Sequence, residues 1–455
     1  MKKDRFVTDP HFYRTVAAIA IPIALQNVIS FGVNIMDSVM LGRLGDLAIS
    51  AASLGGQPFF LLMNLGFGLS SGGSVLIAQY WGKGNDDAIR RIMSMSMRFV
   101  AVASLIFMAG CLAFPRQIMS LYSSEAAVID AAAQYLSVLA FSFLFFSISN
   151  NYMMSLRAVE SVKISTAIYA ISFIINVVAN YSFIFGKFGM PRLEIRGAAL
   201  GTVIARFSEF LMALAYMTFA ERKVNFKVKD ILRFDTHLLG DYVKNSLPVV
   251  GNEMLWGVGS TVTTMIIGQI GSVFVAANSI AGVVWQLAGV FIFGVANAAA
   301  VVTGKAIGEG RAHEAQKIAN TLRAMAFGTG VFACVVILLL RGPVLTLYDV
   351  TPATKEAAFG IMTVLAFLQL SVALDVTSVV GILRGGGDTS MAFLYDCGSL
   401  WLIGIPLGFL SGLVWHWPAA LVYLMMKMDS PVKVLLTSLR IRSGKWIRNV
   451  TREDV

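Results

Sequence analysis

Two stretches of the chain share a pattern of proline and glycine: residues 16–45 read VAAIAIPIALQNVISFGVNIMDSVMLGRLG, and residues 242–271 read YVKNSLPVVGNEMLWGVGSTVTTMIIGQIG. A single shift of 226 positions aligns the proline and two glycines of both stretches: Pro22 with Pro248, Gly42 with Gly268, and Gly45 with Gly271. Apolar helices resemble one another by chance, but chance does not match proline and glycine at a constant offset. The pattern therefore predicts an internal duplication.

The composition around this repeat is that of a membrane protein. Hydrophobic residues make up 57% of the chain and charged residues 14%, with a mean hydropathy of +0.73, whereas soluble domains carry about 25% charged residues. Apolar runs of roughly 20 residues, enough to cross the hydrocarbon core as a helix, recur throughout. We expect an all-α polytopic membrane protein with about twelve spans, near residues 16–40, 52–78, 93–114, 132–155, 164–186, 198–219, 244–268, 276–303, 320–340, 357–381, 390–411 and 418–438.

The repeat extends over both halves of this array. The same shift aligns Gly82 with Gly308 and Tyr122 with Tyr348, and a shift of one more residue aligns Arg157 with Arg384. Each half would hold six helices, and an even number of crossings preserves orientation, so the halves are predicted to be parallel repeats about an axis along the membrane normal. The predicted domains are an N-terminal lobe at 1–220, a cytoplasmic linker at 221–243 and a C-terminal lobe at 244–455.

Basic residues are distributed unequally between the two sides of the membrane. Lysine and arginine favour cytoplasmic loops. The side opposite the termini has only about seven lysine and arginine residues, so both termini are predicted to be cytoplasmic. The predicted membrane is a bacterial inner membrane. Topology also explains the net charge of +10, and we expect no nucleic-acid partner. The termini and the linker contribute Lys2, Lys3, Arg5, Arg14, Arg222, Lys223, Lys227, Lys229, Arg233, Lys244, Arg440, Arg442, Lys445, Arg448 and Arg452.

Three carboxylates are predicted to lie within spans: Asp37 in the first, Glu253 in the seventh and Asp375 in the tenth. An ionised aspartate at the bilayer centre costs about 2.5 to 3.5 kcal/mol on insertion scales. Residues that costly favour a function over simple packing. The remaining midspan charges are interpreted as an i, i+3 pair, Arg206 with Glu209, which can neutralise itself and is structural.

The first span carries a polar stripe that ends at Asp37. Gln26, Ser30, Asn34 and Asp37 follow one another at steps of four, four and three, which places them on one helix face. Interhelical hydrogen bonds are the alternative explanation, but a carboxylate is a poor choice for simple packing. We therefore predict that Gln26, Ser30 and Asn34 line a cavity.

Pro22 and Pro248 precede the polar residues of their repeats. Proline inside a helix frees a backbone carbonyl and can bend the helix. The two prolines are therefore predicted to serve gating, although static membrane helices also contain proline.

Further polar residues can complete a cation site in each half. Asn176 and Asn180 stand at i and i+4 in the fifth span and Thr202 follows in the sixth, so they can bind Asp37 or simply pack against one another. In the other half, Glu253 and Asp375 could share a proton or hold a hard cation such as Na⁺ through oxygen. Sequence alone does not bring those two side chains together.

These features resemble those of the multidrug and toxic compound extrusion (MATE) family. Ile21-Pro22 with Gln26, Asp37 and the Gly42-to-Gly45 loop resembles the start of such a transporter, and residues 383–389, LRGGGDT, resemble the family's loop after the tenth helix. The resemblance covers residues 10 to 450 and is closest to the bacterial subgroup with a glutamate in the seventh helix.

The resemblance implies a function and a set of site residues. It implies two six-helix bundles around a cavity, and a monomeric antiporter that exports amphipathic organic cations through the bilayer in exchange for H⁺ or Na⁺, with no cofactor. The implied cation-coupling and substrate-binding residues are Asp37, Asn176, Asn180, Thr202, Glu253 and Asp375. Ser371 stands where relatives often carry an aromatic residue, so the resemblance leaves the coupling ion open.

The alternatives to a transporter of this kind are an enzyme and a flippase. An enzyme is disfavoured, because the four histidines lie outside the span centres, and neither a metal-ligand motif nor a phosphate-binding G-x-x-x-x-G-K-[ST] loop occurs. A flippase for lipid-linked oligosaccharides of the same general architecture is the stronger alternative. Such proteins hold phosphate with cationic residues in the cavity, whereas the midspan charges outside the Arg206 and Glu209 pair are predicted to be acidic.

Overall fold

The computed structural model describes residues 5–231, 236–348 and 350–453, and within these ranges the chain is helical and contains no β-strand. The first part of the chain forms ten helices: α1 (Pro10–Gly42), α2 (Asp46–Gly55), α3 (Gln57–Lys83), α4 (Asp86–Ala113), α5 (Pro115–Ser120), α6 (Ala126–Leu139), α7 (Ser142–Ala158), α8 (Val162–Phe185), α9 (Glu194–Ala215) and the short α10 (Val228–Ile231).

The second part of the chain begins with four long helices and ends with four short ones. These are α11 (Leu239–Ile270), α12 (Ser272–Gly308), α13 (Ala312–Thr346), α14 (Pro352–Val376), α15 (Thr389–Ser399), α16 (Ile405–Phe409), α17 (Ala419–Met426) and α18 (Asp429–Arg442). Short π-helical segments extend α9 over Tyr216–Ala220, α14 over Thr377–Leu383, α15 over Leu400–Gly404 and α16 over Leu410–Val414.

Every predicted span coincides with one or two of these helices. Of the described helices, nine are long and apolar enough to cross a bilayer when α2 and α3 count as one, and α6 with α7, bent by 51°, would make a tenth. The predicted seventh span is the 32-residue α11. The predicted twelfth is broken between α17 and α18, where Lys427 and Asp429 interrupt the apolar run. The predicted all-α polytopic class is confirmed.

The backbone forms two compact units. The N-terminal unit comprises Leu25–Ile77 and Asp86–Ser246, and the C-terminal unit comprises Met1–Ala24, Ala78–Asn85 and Leu247–Val455. The chain passes from one unit to the other inside α1, α3 and α11. In α1 and α11 the passage falls within two residues of Pro22 and Pro248, and both helices continue through their proline. The lobes at 1–220 and 244–455 divide the chain by its repeat and stay a prediction.

The predicted linker at 221–243 is partly ordered by a buried carboxylate. Glu221, 2% exposed, accepts hydrogen bonds from the backbone N–H groups of Lys223, Val224 and Phe226 at 2.7 to 3.0 Å. Its last residues already belong to α11. Residues 232–235, which include Arg233, lie outside the described residues, as do Lys2 and Lys3.

Each unit has its own apolar core built largely from small side chains. In the C-terminal unit Ala281, Ala333 and Ala366 are at most 1% exposed, and they pack with Ile337 and Ile361. In the N-terminal unit the core contains Ala132, Leu136 and Phe143, among other residues. Small residues allow helix backbones to approach closely, and close packing is a main source of helix association in a bilayer.

The last residues of the chain are docked onto the C-terminal unit. Trp446 is fully buried, and Arg448 donates its backbone N–H to the carbonyl of Gly386 at 2.9 Å. A Cβ on Gly386 would lie 2.4 Å from the Trp446 ring, so only glycine fits there. Asp388 holds two arginines of this region, Arg440 at 2.8 Å and Arg448 at 3.1 Å. We call residues 443–453 the docked tail.

The docked tail also reaches the end of α3. Gln79, which is fully buried, donates its side-chain amide to the carbonyl of Arg448 at 3.1 Å and accepts the backbone N–H of Val450 at 2.8 Å. The Tyr80 hydroxyl accepts the backbone N–H of Arg452 at 3.0 Å. The tail is therefore part of the unit's core, although it follows the final helix.

Candidate functional site

Asp37 is held by an amide in the N-terminal unit. The Asn180 side-chain amide donates a hydrogen bond to Asp37 Oδ1 at 2.5 Å and a longer one to Asn176 Oδ1 at 3.3 Å. Both asparagines are at most 3% exposed, whereas Asp37 is half-buried. No described residue forms an ion pair with Asp37, so no cation contacts its carboxylate directly, and Arg206 acts on it only from a longer distance.

A glycine on the neighbouring helix makes room for this arrangement. A Cβ at Gly201 of α9 would lie 2.0 Å from Asn180 Oδ1, so a larger residue would displace the amide. That oxygen is buried and has no hydrogen-bond partner among the described residues. Thr202 follows Gly201, but its hydroxyl donates to the Ala198 carbonyl of its own helix at 3.1 Å. The structure therefore brings together Asp37, Asn176 and Asn180, and leaves Thr202 bonded within α9.

The polar stripe of α1 is divided between buried and exposed positions. Gln26 is 2% exposed and donates to the Thr166 hydroxyl at 2.8 Å, while its carbonyl accepts a hydrogen bond from Arg157. Ser30 and Asn34 are exposed on the surface of α1. Gln26 thus makes interhelical bonds, and the lining of a cavity by the stripe stays a prediction.

The bond between Gln26 and Arg157 has a counterpart in the C-terminal unit. Arg384 donates to Glu253 Oε1 at 2.8 Å, and Arg384 is buried while Glu253 is 15% exposed at its side chain. Arg157 aligns with Arg384 at a shift of 227, and Glu253 follows Asn252, the residue that the shift of 226 aligns with Gln26. The duplication thus preserves a buried contact as well as a sequence pattern, with an amide in one unit and a carboxylate in the other.

Asp375 belongs to a second cluster, centred on a lysine. Lys433 Nζ lies 3.1 Å from Asp375 Oδ2, 3.0 Å from Asp396 Oδ1 and 3.1 Å from Asp429 Oδ2. Asn252 donates to the other oxygen of Asp396 at 2.9 Å. Lys433, Asp375 and Asp429 are at most 7% exposed. We call Lys433 with its three aspartates the lysine cluster.

Glu253 and Asp375 therefore have separate cationic partners, Arg384 and Lys433. Among the described residues no group of three or more histidine, cysteine or acidic side chains is arranged to hold a metal ion. The three aspartates face an ammonium group instead. A Na⁺ ion bound by Glu253 and Asp375 together stays a prediction.

The expectation that midspan charges outside the Arg206 and Glu209 pair are acidic is wrong. Arg157, Arg384 and Lys433 are also basic and lie inside their units. Asp396 and Asp429 are not among the predicted site residues. The i, i+4 spacing of Asp429 and Lys433, and the aligned Leu-Arg pairs at 156–157 and 383–384, were the available signals.

The Arg206 and Glu209 pair forms as its spacing predicts. Arg206 lies 2.8 Å from Glu209 Oε2, and Glu209 is fully buried. The carboxylate also accepts the hydroxyls of Ser149 at 2.8 Å and Ser172 at 3.4 Å. All of its charge is therefore used inside the bundle, which fits the structural role predicted for it.

The fold and these intramembrane charges define a polytopic membrane transporter. The MatE family model matches residues 22–182 and again residues 248–410, so it finds both halves of the duplication. The chain belongs to the MatE family. Members of this family are transporters, which confirms both the predicted family and the prediction that the chain is not an enzyme.

Named relatives are similar to most of the chain, and solved structures share its fold. The chain is 26% identical over 404 residues to the multidrug resistance protein MdtK of Yersinia enterocolitica, and 25% identical over 404 residues to MdtK of Yersinia pestis, with 88% of each chain covered. A transporter of the MOP superfamily from Pyrococcus furiosus has a TM-score of 0.85 at 17% identity, over 95% of this chain and 96% of the other. A MATE transporter in a straight conformation also scores 0.85, at 18% identity and the same coverage.

Proposed function

We propose that the chain exports amphipathic, cationic small molecules across a bacterial inner membrane in exchange for H⁺ or Na⁺. The names of the MdtK relatives support multidrug export, and membership of the MatE family supports transport. We also propose that the protein acts as a monomer of two lobes, with both termini in the cytoplasm.

The observation that carries this proposal is the state of Asp37. Its carboxylate is fixed by Asn180 at 2.5 Å and forms no ion pair with the other described residues. A fixed carboxylate without a resident cation can be neutralised by a proton, by a sodium ion or by a cationic substrate. If only one of these binds at a time, uptake of the ion on one side releases the drug there, which is the competition that antiport requires.

The two helix prolines support a gating role within this proposal. Pro22 and Pro248 lie where α1 and α11 pass from one compact unit to the other. An interior proline lacks the N–H of one helical hydrogen bond and lowers the cost of bending. Bending at Pro22 would move Asp37, which lies about four turns further along the same helix at 3.6 residues per turn.

The flippase alternative is less well supported. Binding of a lipid-linked phosphate requires cationic groups that are free to meet it. Arg384 and Lys433 are buried and already bonded to Glu253 and the three aspartates, and the half-buried Arg157 is bonded to Gln26. A cationic substrate is therefore favoured. The reason is that the basic residues within the units are already bonded to other side chains, and not that basic residues are absent.

The test is transport by the purified chain in proteoliposomes. Efflux of a cationic dye should follow an imposed proton gradient or an imposed sodium gradient, and Asp37→Asn should reduce it to the level of empty liposomes while the protein still folds. Asp46→Asn is the matched control, because Asp46 is an exposed carboxylate of the same unit at the start of α2. Wild-type efflux by the Asp37 variant under both gradients would contradict the proposal.

A further inference from the structure

The lysine cluster has the geometry of an occupied cation site. Asp375 of α14, Asp396 of α15 and Asp429 of α18 each direct one oxygen to a single point, and the Lys433 ammonium lies at that point, 3.0 to 3.1 Å from each oxygen. An ammonium group has three N–H donors and no acceptor. All three donors are therefore used on three different carboxylates.

The same oxygens are the ligands that a hard metal ion would need. Such ions take carboxylate and carbonyl oxygens at distances shorter than those of an ammonium hydrogen bond. The ammonium and a sodium ion cannot share the point between three carboxylates, because their charges repel and the space holds one of them. Lys433 is 7% exposed and bonded on every donor, so an incoming ion would have to displace it.

We infer that Lys433 is a covalently attached resident cation, which fills the position among Asp375, Asp396 and Asp429 and excludes Na⁺ from the C-terminal unit. The inference deepens the proposed function, on which its relevance to coupling rests. Asp37, which has no cationic partner of this kind, is then left as the acidic residue open to the coupling ion. Removing the ammonium should turn the cluster from a closed site into a sodium site.

The experiment measures equilibrium binding of ²²Na⁺ to the purified full chain, with choline chloride holding the ionic strength constant. All variants carry Asp37→Asn, so that binding in the N-terminal unit does not contribute. With Lys433 intact, we expect no saturable sodium binding. Lys433→Ala should gain one saturable site, and Lys433→Arg, which keeps a cation, should not. Adding Asp375→Asn to Lys433→Ala should remove the new site.

A second variant covers the case in which Lys433→Ala alone does not accumulate as folded protein. Lys433→Ala with Asp429→Asn removes one carboxylate charge together with the ammonium, and it should still bind sodium through Asp375 and Asp396. Folded lysine-free variants that bind no sodium would overturn the inference. Saturable binding with Lys433 intact that Asp375→Asn abolishes would also overturn it. Neither result depends on dye export, so failure of the proposed function would be recognised separately.

Discussion

The two units hold equivalent basic residues among different numbers of acids. Arg206 and Lys433 are 227 positions apart, the same shift that relates Arg157 to Arg384. Arg206 pairs with Glu209 alone, whereas Lys433 contacts three aspartates. In the N-terminal unit the structural ion pair makes no direct contact with Asp37, whereas in the C-terminal unit Asp375 contacts the structural cation itself. The two halves of the duplication therefore differ in the number of acidic side chains around an equivalent basic residue.

A second equivalent pair differs in the same direction. Arg157 bonds to the neutral Gln26, and Arg384 bonds to the anionic Glu253. In the C-terminal unit Glu253 pairs with Arg384 and three aspartates share Lys433, while Asp37 of the N-terminal unit is bonded directly only to an amide. This comparison predicts that charge removal destabilises the C-terminal unit, and that it impairs ion coupling in the N-terminal unit.

The largest expected effect is loss of the ammonium of the lysine cluster. Lys433→Met should lower the free energy of unfolding by about 3 to 5 kcal/mol, because removal of one partner leaves buried charge uncompensated. Arg206→Met should cost less, since Glu209 keeps two hydroxyl donors and Arg206 is 21% exposed. Thermal unfolding of both variants in the same detergent measures the difference. Equal losses would mean that the number of surrounding acids does not matter.

An intermediate effect is expected at Glu253. Glu253→Gln gives Arg384 the kind of partner that Arg157 already has, and should lower the free energy of unfolding by about 1.5 to 3 kcal/mol, the strength of a hydrogen bond to a charged group. Dye efflux should also fall or change its ion dependence. The matched reverse change is Gln26→Glu. If Glu253→Gln alters neither unfolding nor the ion dependence of transport, the contrast between the two arginine pairs has no consequence.

The smallest effects on stability are expected around Asp37. Asn180→Ala removes the interhelical hydrogen bond to Asp37 and a longer one to Asn176 within α8. It should cost about 0.6 to 1.7 kcal/mol, from the mean to the maximum measured for polar contacts between membrane helices, but it should slow dye efflux markedly because Asp37 loses its positioning donor. Thr202→Val should change efflux little, since the Thr202 hydroxyl bonds within its own helix. Initial efflux rates, normalised to folded protein, measure both. A larger loss of efflux in the threonine variant would refute this geometry.

Sequence patterns predicted most of the fold and part of the site. Hydropathy and the repeat were sufficient to predict the helical class, because both are visible in the sequence without knowledge of tertiary contacts. The i, i+4 pair Asn176 and Asn180 was predicted as a partner of Asp37, and Asn180 donates to it, while the role of these residues in coupling stays a prediction. The bend between α6 and α7 was not predicted. The sequence VLAF stands at the bend, in residues 138–141, and again in residues 364–367, which lie inside the unbroken α14, so this sequence does not determine a bend.

The lysine cluster could not be predicted from local patterns. Its three aspartates come from three helices, and only Asp429 has helical spacing to Lys433. Lysine and aspartate near the end of an apolar run lower its hydropathy, so Lys427 and Asp429 interrupt the last predicted span. Only the tertiary structure shows that Lys433 contacts all three aspartates. The compact units are likewise non-local, because α1, α3 and α11 each contribute to both.

The docked tail has a consequence for the order in which the protein is made. Gln79 and Asp388 find partners in Arg448, Val450 and Arg440, so the C-terminal unit lacks these contacts until residues 440–450 have been synthesised. Domains generally begin to fold during synthesis from the N-terminal side. Here the end of α3, made early, waits for residues made about 370 positions later. A nascent chain cut short before Trp446 would therefore be an unfinished bundle, which a cell could distinguish from a complete one.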